Sequence, residues 1–373
     1  MRRRPDLRAC DWKPYANFHA IQNDMCIESR DRFVRLEPAP CECGIVFHRR
    51  NSHDHHKIHG AGHVIALLNF GRCCDLALKT VELLVRCWAW RHRYCHNARY
   101  PNANIRRVGG RTFGGGRAAP AFGYLADLAP FRNSTAFKQR MTIADLLTMS
   151  SALDCDDDVD ASPGNEDRMH EQQRWTRWAV DLPTKRGYAR DADGRGPFSY
   201  CTAGAFLLGQ IIERAAHTPV DQYIEGKLLI PLGISQWKWS RSATGEAMTG
   251  GGLELRSRDL AKIAWMLVDN GRWRGRGIVS ADWTNAVMTA HRNANPEQDY
   301  GYLFWQRTYA TNCGMTQGWS MAGNGGNAIV ILKDLDAAIV VTRENYNAQE
   351  MHQQTVDLLE HFLLPALPCK PGP

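Results

Sequence analysis

The residues best suited to bind a metal lie close together in the first third of the chain. Cys41 and Cys43 are separated by one residue, and His48 follows soon after. Five more histidines come next, at His53, His55, His56, His59 and His63. Thiolates and imidazoles are ligands that Zn²⁺ prefers, but zinc sites depend on paired ligands at regular spacing. Because no second Cys pair or spaced His pair completes a set of four, we predict no metal site.

The same segment differs from the rest of the chain in charge and composition. Residues 1–117 contain 21 Lys and Arg against 10 Asp and Glu, whereas residues 118–373 contain 25 against 29. The segment also contains 8 of the 12 Cys, 9 of the 14 His and only two Ser, Ser29 and Ser52. This segment has three interpretations. It could be a basic arm that binds nucleic acid, a metal site, or a stretch translated out of its original frame. We favour the third, because the basic residues are scattered and the periodicity is weak.

Length and hydropathy exclude several classes of protein. A chain of 373 residues with 44% apolar residues and 12 Trp can bury a sizeable core, so it is not wholly disordered. Nowhere do about 18 apolar residues run together, so no membrane span is predicted. The basic start, residues 1–6, is not followed by an apolar region, so no secretory signal is readable and a cytoplasmic location is the default expectation.

From residue 118 onward the sequence has the periodicity of a folded α+β protein. Apolar spacing predicts helices at residues 141–149, 203–216, 219–229, 257–270, 280–291 and 351–364. Thr142 and Ser257 are candidate caps, and Gly271 is a candidate stop. Two β-rich runs, 327–332 and 337–342, flank a short polar turn and predict a hairpin. Helices followed by strands and one closing helix indicate a helical domain beside a mostly antiparallel sheet.

Four segments after residue 120 carry, in order, the motifs of a known family. They read TIADLLTMSSAL at 142–153, FSYCTAG at 198–204, GGGLELRSRDLA at 250–261 and GNGGN at 323–327. With them, residues 121–367 resemble the serine β-lactamase and penicillin-binding-protein-like family, and in particular its class C-like esterases and 6-aminohexanoate-oligomer hydrolases. The resemblance implies the β-lactamase/transpeptidase-like fold, in which an antiparallel sheet flanked by helices is joined to a mainly helical domain.

The chemistry implied by this resemblance is acyl transfer through a serine ester, with a Lys one helical turn after the Ser as its base. The motif tyrosine falls on Tyr200, which would carry protons to the leaving group, and Thr202 stands where Asn is usual. Asn324 stands where the family has Lys or His, so the cation that would attract a substrate carboxylate is missing. The resemblance therefore implies a neutral ester or amide as substrate. The oxyanion hole would form around Gly325, Gly326 and Asn327.

The first motif of the family, Ser-x-x-Lys, is missing. Family members place it about 45 residues before the TIADLL segment. Residues 94–100 stand there and read YCHNARY. The chain has no Ser between Ser52 and Ser134 and no Lys between Lys79 and Lys138. The missing motif coincides with the unusual composition, which supports the hypothesis that the reading frame is disturbed before about residue 118.

Other nucleophiles do not fill the gap. Cys95 has Ala98 where its base should stand. Ser235 and Lys238 have the right spacing but follow a Pro-Leu-Gly-Ile segment outside the region that forms the family's active site. Ser134 and Lys138 are one residue too far apart, and Ser150 and Ser151 have no Lys partner. We therefore predict that the chain as it stands forms no acyl-enzyme.

We expect three segments along the chain. Residues 1–117 form an atypical segment where the family has its first strands and nucleophile helix. Residues 118–292 form a mainly helical domain with Tyr200, and residues 293–373 form the C-terminal part of the sheet domain. The expected function is that of a β-lactamase-related serine hydrolase impaired by the missing nucleophile. A non-catalytic homologue that binds a small ligand is the alternative, and nucleic-acid binding by residues 1–117 is a weaker one.

The expected partner is a small ester or amide, without a nucleic acid, a membrane or a cofactor. The sequence leaves open the oligomeric state and the choice among lactam, ester and linear amide. The four cysteines after residue 117 fit free buried thiols as well as bridges. They are Cys155, Cys201, Cys313 and Cys369.

Overall fold

The computed structural model describes residues 43–49, 64–70, 116–367 and 369, all within one compact unit that spans residues 35–373. The described strands are β1 (Cys43–Arg49), β2 (Val64–Phe70), β3 (Lys238–Trp239), β4 (Leu253–Glu254), β5 (Arg272–Trp273), β6 (Arg276–Gly277), β7 (Arg292–Asn295), β8 (Gln298–Tyr300), β9 (Trp305–Thr311), β10 (Gly314–Gly323), β11 (Asn327–Leu332) and β12 (Ala337–Thr342). The described helices are α1 (Ala121–Tyr124), α2 (Ala136–Arg140), α3 (Ile143–Leu147), α4 (Glu166–His170), α5 (Trp175–Asp181), α6 (Thr202–Ala216), α7 (Val220–Ile224), α8 (Ser257–Val268), α9 (Ala281–Val287) and α10 (Met351–Leu358).

One large sheet organises the fold. Eight strands pair in the order β1-β2-β12-β11-β10-β9-β8-β7, and β3-β4 and β5-β6 form two small separate hairpins. Every described pairing in the large sheet is antiparallel except that of β2 with β12, which is parallel. The predicted α+β class is thus confirmed, with one parallel pairing inside a mostly antiparallel sheet.

The predicted hairpin is confirmed as β11 and β12, and it lies at the centre of the sheet. All twelve of its residues are buried, because both faces of the sheet are covered. Ile329, Ile331 and Val340 belong to the apolar core that faces α8 and the helical region. Val330 and Ile339 face the opposite layer, which Leu359 and Leu363 of the closing helical segment complete. Alternate side chains on each strand therefore enter two separate cores.

Local signals in the sequence place several helix starts correctly. Thr142 caps α3, where its hydroxyl accepts from the Asp145 N–H and the Asp145 carboxylate accepts from the Thr142 N–H. Ser280 caps α9 by accepting from the Trp283 N–H. Before α8, however, Arg256 occupies the cap position and Ser257 is the first helical residue, so Ser257 is not the cap. The Ser257 hydroxyl instead lies 3.0 Å from the Thr342 hydroxyl and links α8 to β12.

Two predicted helices change geometry partway along. The helix predicted at 219–229 is α7 followed by a π-helical turn at Glu225–Leu229. The helix predicted at 351–364 is α10 followed by a second such turn at Leu359–Leu363. Leu228 and Leu229 are buried in the first of these turns, and Leu359 and Leu363 are buried in the second.

The cysteines left open by the sequence form two bridges. Cys155 pairs with Cys201, and Cys313 pairs with Cys369. The first bridge is buried beside the start of α6, and the second ties the C-terminus to the turn between β9 and β10. None of the described helices is both long and apolar enough to cross a membrane. The division at residues 118–292 and 293–373 stays a prediction.

Candidate active site

Tyr200 lies directly before α6 in a cluster of aromatic rings. Its half-buried ring is 5.4 Å from that of Trp305, at an angle of 37°. Phe198 packs edge-on against both Tyr300 (5.1 Å) and Trp305 (5.8 Å), and Tyr300 packs edge-on against Trp305 (4.9 Å). We call these four residues the aromatic cluster. Trp305 begins β9, so the cluster connects the start of α6 with the large sheet.

Main-chain hydrogen bonds fix the segment that presents Tyr200. The Ser199 N–H donates to the Met149 carbonyl (2.8 Å), and the Cys201 N–H donates to the Met149 thioether (3.4 Å). The Tyr200 carbonyl accepts from the Asp157 N–H (2.9 Å). A tyrosine on such an anchored segment can hold its phenol in one place, which a proton carrier requires.

Thr202 is fully buried and its hydroxyl is directed into the protein. The hydroxyl donates to Glu166 Oε2 (3.2 Å), and the Thr202 N–H donates to Asp157 Oδ2 (2.7 Å). Glu166 Oε1 also lies 3.6 Å from His170 Nε2, and the pKa of His170 is raised chiefly by the hydrogen bond to Glu166. The residue in place of the motif asparagine thus begins a hydroxyl–carboxylate–imidazole chain. The motif gave no indication of this chain.

Asn324 and Asn327 build the turn between β10 and β11. The Asn327 amide donates to the Asn324 carbonyl (2.6 Å) and accepts from the Arg343 N–H (2.7 Å). The Asn324 amide donates to Asn347 Oδ1 (2.7 Å) and accepts from the Asn347 N–H (2.9 Å). Asn327 is buried, whereas Asn324 is exposed. Both side chains therefore hold the turn against the segment that follows β12.

The two glycines of the turn adopt conformations that side chains disfavour. Gly325 has φ +86° and Gly326 has φ +78°. The Gly325 N–H donates to the Met351 thioether (3.2 Å), and the Gly326 carbonyl accepts from the Thr355 hydroxyl (2.6 Å). The assignment of these residues to an oxyanion hole stays a prediction, as does the substrate contact of Asn324.

The aromatic cluster and the turn lie along the same pair of strands. Trp305 pairs with Ser320, and β10 ends three residues later at Gly323, where the turn begins. β2 runs parallel to β12 with Asn69 opposite Thr342, so β2 ends at the same edge of the sheet. The sequence motifs from 198–204 and 323–327 are thus connected through β9 and β10, at the edge of the sheet where β2 also ends.

Two of the Ser–Lys pairs that the sequence excluded have a member bound elsewhere in the structure. Lys238 pairs with Glu254 (2.9 Å) at an exposed position, which supports the interpretation of its spacing from Ser235 as coincidence. The Ser134 hydroxyl accepts from the Gln139 amide (3.2 Å).

The remaining early candidates are not described: Cys41, His53, His55, His56, His59, His63 and residues 94–100 lie outside the described residues, as do the side chains of Cys43 and His48.

A polar group beside Tyr200 was not anticipated from the sequence. Lys185 Nζ lies 3.2 Å from Ser199 Oγ and 3.6 Å from Asp156 Oδ2. The Ser199 hydroxyl has two acceptors, the Cys155 carbonyl (2.8 Å) and Asp156 Oδ2 (2.9 Å). Because the lysine donates to the Ser199 oxygen and the Ser199 hydroxyl has its own acceptors, the group ties these segments together. In the part of the chain that the structure describes, no three His, Cys, Asp or Glu residues gather as a metal site.

Comparison with known proteins identifies one matching family model. The model described as Beta-lactamase matches residues 119–360. A 6-aminohexanoate-dimer hydrolase from Paenarthrobacter ureafaciens is 24% identical over 200 residues, which cover 49% of this chain and 47% of that protein. The chain therefore spans about half the length of this relative.

Solved structures share the fold at low sequence identity. A penicillin binding protein from Bacillus halodurans superposes with a TM-score of 0.53 at 16% identity, covering 82% of this chain and 94% of that one. A D-stereospecific amidohydrolase from Streptomyces sp. superposes with a TM-score of 0.51 at 14% identity, covering 76% and 85%. These similarities confirm the predicted β-lactamase/transpeptidase-like fold.

Proposed function

The chain belongs to the beta-lactamase family, and we propose from this that it is a serine acyl hydrolase in lineage, which acts on a neutral ester or amide and is impaired by the loss of its nucleophile. The placement of Tyr200 carries the proposal. Its ring stands half-buried in the aromatic cluster, on a segment fixed by hydrogen bonds to Met149 and Asp157.

The proposed reaction has two steps. A serine oxygen attacks the substrate carbonyl, its proton passes to a base, and the carbonyl oxygen becomes an oxyanion that main-chain N–H groups stabilise. When the bond to the leaving group breaks, that group takes a proton from the tyrosine phenol, which we assign to Tyr200, and the base passes the serine proton on to the phenolate. Water then attacks the acyl-serine by the same route and releases the acid. The serine and lysine that this reaction needs are missing, because the chain has no Ser between Ser52 and Ser134 and no Lys between Lys79 and Lys138.

Charge at the site supports a neutral substrate. Asn324 stands where the family has a cation, and its amide is hydrogen-bonded to Asn347 in both directions. The aromatic cluster offers ring faces and edges to a flat or apolar group. The relatives named for hydrolysis of 6-aminohexanoate dimers and for amidohydrolase activity support a linear amide over a lactam as the bond that is cleaved, and they do not bear on the charge of the substrate.

The second candidate is a homologue that binds a small ligand without turning it over. The missing Ser-x-x-Lys favours it directly, because a chain that keeps Tyr200 and the turn can still bind what it no longer cleaves. Nucleic-acid binding by residues 1–117 remains the weaker alternative, and it rests on charge alone.

Sequencing the gene through codon 120 and translating it in three frames separates the two candidates. A frame that contains Ser-x-x-Lys and joins cleanly at Ala121 supports the hydrolase. Confirmation of the present frame supports the ligand-binding homologue. In parallel, we expect a fluorophosphonate probe to label no serine of the present chain. Mass spectrometry that finds a labelled Ser would contradict the claim that the nucleophile is absent.

A further inference from the structure

The loop at residues 154–157 runs alongside the segment that presents Tyr200 and is joined to it repeatedly. The Cys155–Cys201 bridge links the two segments covalently. The Cys155 carbonyl and the Asp156 carboxylate both lie within hydrogen-bond distance of the Ser199 hydroxyl. The loop therefore contacts the residues on both sides of Tyr200 in the sequence.

Asp157 is hydrogen-bonded to Tyr200 itself and to Thr202. Its N–H donates to the Tyr200 carbonyl (2.9 Å), and its Oδ2 accepts from the Thr202 N–H (2.7 Å). Its Oδ1 accepts from the Glu166 N–H at the start of α4 (3.0 Å). The half-buried carboxylate thus fixes the starts of α4 and α6, while the main-chain N–H of Asp157 holds the Tyr200 carbonyl.

The chemistry of the α6 cap explains why a carboxylate is needed here. The cap residue is Cys201, whose sulfur is bound in the bridge and accepts only weakly from the Gly204 N–H (3.1 Å). A helix start exposes N–H groups and a partial positive charge, which Ser or Asp at the cap usually neutralises. Asp157 supplies that oxygen and that charge from another segment to the 15-residue helix α6.

We propose that Asp157 is a positioning residue for Tyr200, acting together with the Cys155–Cys201 bridge. The bridge keeps the two segments adjacent, the carboxylate fixes the Cys201–Thr202 peptide, and the main-chain N–H of Asp157 holds the Tyr200–Cys201 peptide. Without the carboxylate, the Thr202 N–H loses its acceptor and the Tyr200 ring can leave Trp305. The inference rests on the proposed function only in what Tyr200 does, not in how it is held.

The test places a single reporter at the tyrosine in the full chain. 3-Fluorotyrosine incorporated at position 200 gives one ¹⁹F resonance, recorded well below the unfolding temperature. We expect Asp157→Ala to shift this line toward that of free 3-fluorotyrosine and to broaden it. Asp157→Asn retains an acceptor oxygen without the charge, so we expect a smaller shift in the same direction. An unchanged line in folded Asp157→Ala would overturn the proposal, because a purely stabilising residue would lower the unfolding temperature only.

Matched controls keep the result interpretable. Asp158→Ala removes the adjacent exposed carboxylate and should leave the line in place. If Asp157→Ala does not fold, Asp157→Asn decides, and an unchanged line in that variant also overturns the proposal. Titration with 4-nitroacetanilide, a neutral aryl amide, tests the site separately. A line that moves on mutation but not on titration supports the positioning role and counts against the proposed function.

Discussion

At the scale of single residues, the turn after β10 depends on main-chain conformations that only glycine adopts at low cost. A Cβ on Gly326 would meet the Met351 carbonyl oxygen at 2.5 Å, in addition to the strain of φ +78°. We expect Gly326→Ala to lower the free energy of unfolding by about 3 kcal/mol, part from the left-handed backbone and part from the clash. Urea denaturation measures the change.

Gly275 provides the control for this substitution. Its φ is +79°, but among the described residues other than its two chain neighbours no atom lies within 4 Å of the position that a Cβ would occupy. Gly275→Ala should therefore cost only the backbone strain, about 1 kcal/mol. Equal effects of the two substitutions would show that the contact with Met351 adds nothing.

The pair of His170 and Glu166 predicts a pH dependence of stability. The hydrogen bond to Glu166 raises the pKa of His170, against the opposing effect of burial. The charged imidazole is thus favoured in the folded state. Its contribution is complete below the unfolded pKa of about 6.5 and is lost as the pH rises through the higher folded pKa.

Urea denaturation on either side of that range tests the pair. We expect His170→Gln to lower stability at pH about 5.5 and to have little effect at pH about 8.5. In a Glu166→Gln background the pH dependence of the His170→Gln effect should disappear, since the partner is gone. A pH-independent loss in both backgrounds would mean that His170 contributes only packing against Trp175.

The site residues that lie within a sequence motif could be predicted, and their partners outside the motifs could not. The segment around Tyr200 and the turn at Asn324 were found because each motif is local in sequence. The partners of Thr202 and Asn324 were not, because Glu166 and Asn347 lie 36 and 23 residues away and belong to no motif. Hydrogen bonds between residues so far apart produce no recognisable pattern in a single sequence.

At the scale of elements, α5 begins without a cap of its own. Arg174 occupies the cap position, and Glu246 instead accepts from the N–H groups of Trp175 (2.7 Å) and Thr176 (3.0 Å). Burial raises the pKa of Glu246, but hydrogen bonds from Thr176, Ser242 and Trp175 outweigh it, so the net pKa is lowered. The carboxylate therefore stabilises the fold above its unfolded pKa of about 4.3, and the effect is lost as the pH falls through the folded value.

We expect Glu246→Ala to lower the free energy of unfolding at neutral pH by about 1–2 kcal/mol, the range for loss of a helix cap. The difference from wild type should shrink as the pH falls below about 4. Glu254→Ala, which removes the partner of the exposed Lys238, is the control and should cost less than about 1 kcal/mol. Thermal and urea denaturation across pH provide both comparisons, and equal losses would contradict the capping role.

Elements with strong local signals were predicted well. The β11–β12 hairpin was clear because both strands are apolar throughout and a polar turn separates them. The cap at Thr142 was clear because it lies next to the first apolar residue of α3. The π-helical turns after α7 and α10 were missed, because the apolar pattern of each segment is the same as that of a regular helix.

At the scale of the whole molecule, the two bridges give a testable connectivity. Cysteine spacing alone could not choose between free thiols and bridges, because pairing depends on which segments the fold brings together. Peptide mapping without reduction should recover Cys155 with Cys201 and Cys313 with Cys369. Peptides that join these cysteines in another combination would contradict the fold around α6 and the C-terminus.

Replacing one segment of the chain after β2 tests whether the nucleophile is what the candidate site lacks. Because β2 is parallel to β12, it ends at the edge of the sheet where the Arg343 N–H donates to Asn327 and holds the turn. Replacing residues 71–115 with the matching segment of a family member would place Ser-x-x-Lys about 45 residues before Thr142. We expect the chimera to form an acyl-enzyme at the introduced serine, with a burst of 4-nitrophenol from 4-nitrophenyl acetate.

Two variants of the chimera locate the effect. Replacing the introduced serine with alanine should abolish the burst, since the nucleophile is gone. Tyr200→Phe should retain binding but slow turnover about 100-fold or more, the usual loss on removing a general acid or base. A chimera that unfolds as cooperatively as the present chain, yet is never acylated, would mean that residues 116–367 no longer form a hydrolase site, and ligand binding would then be the remaining function.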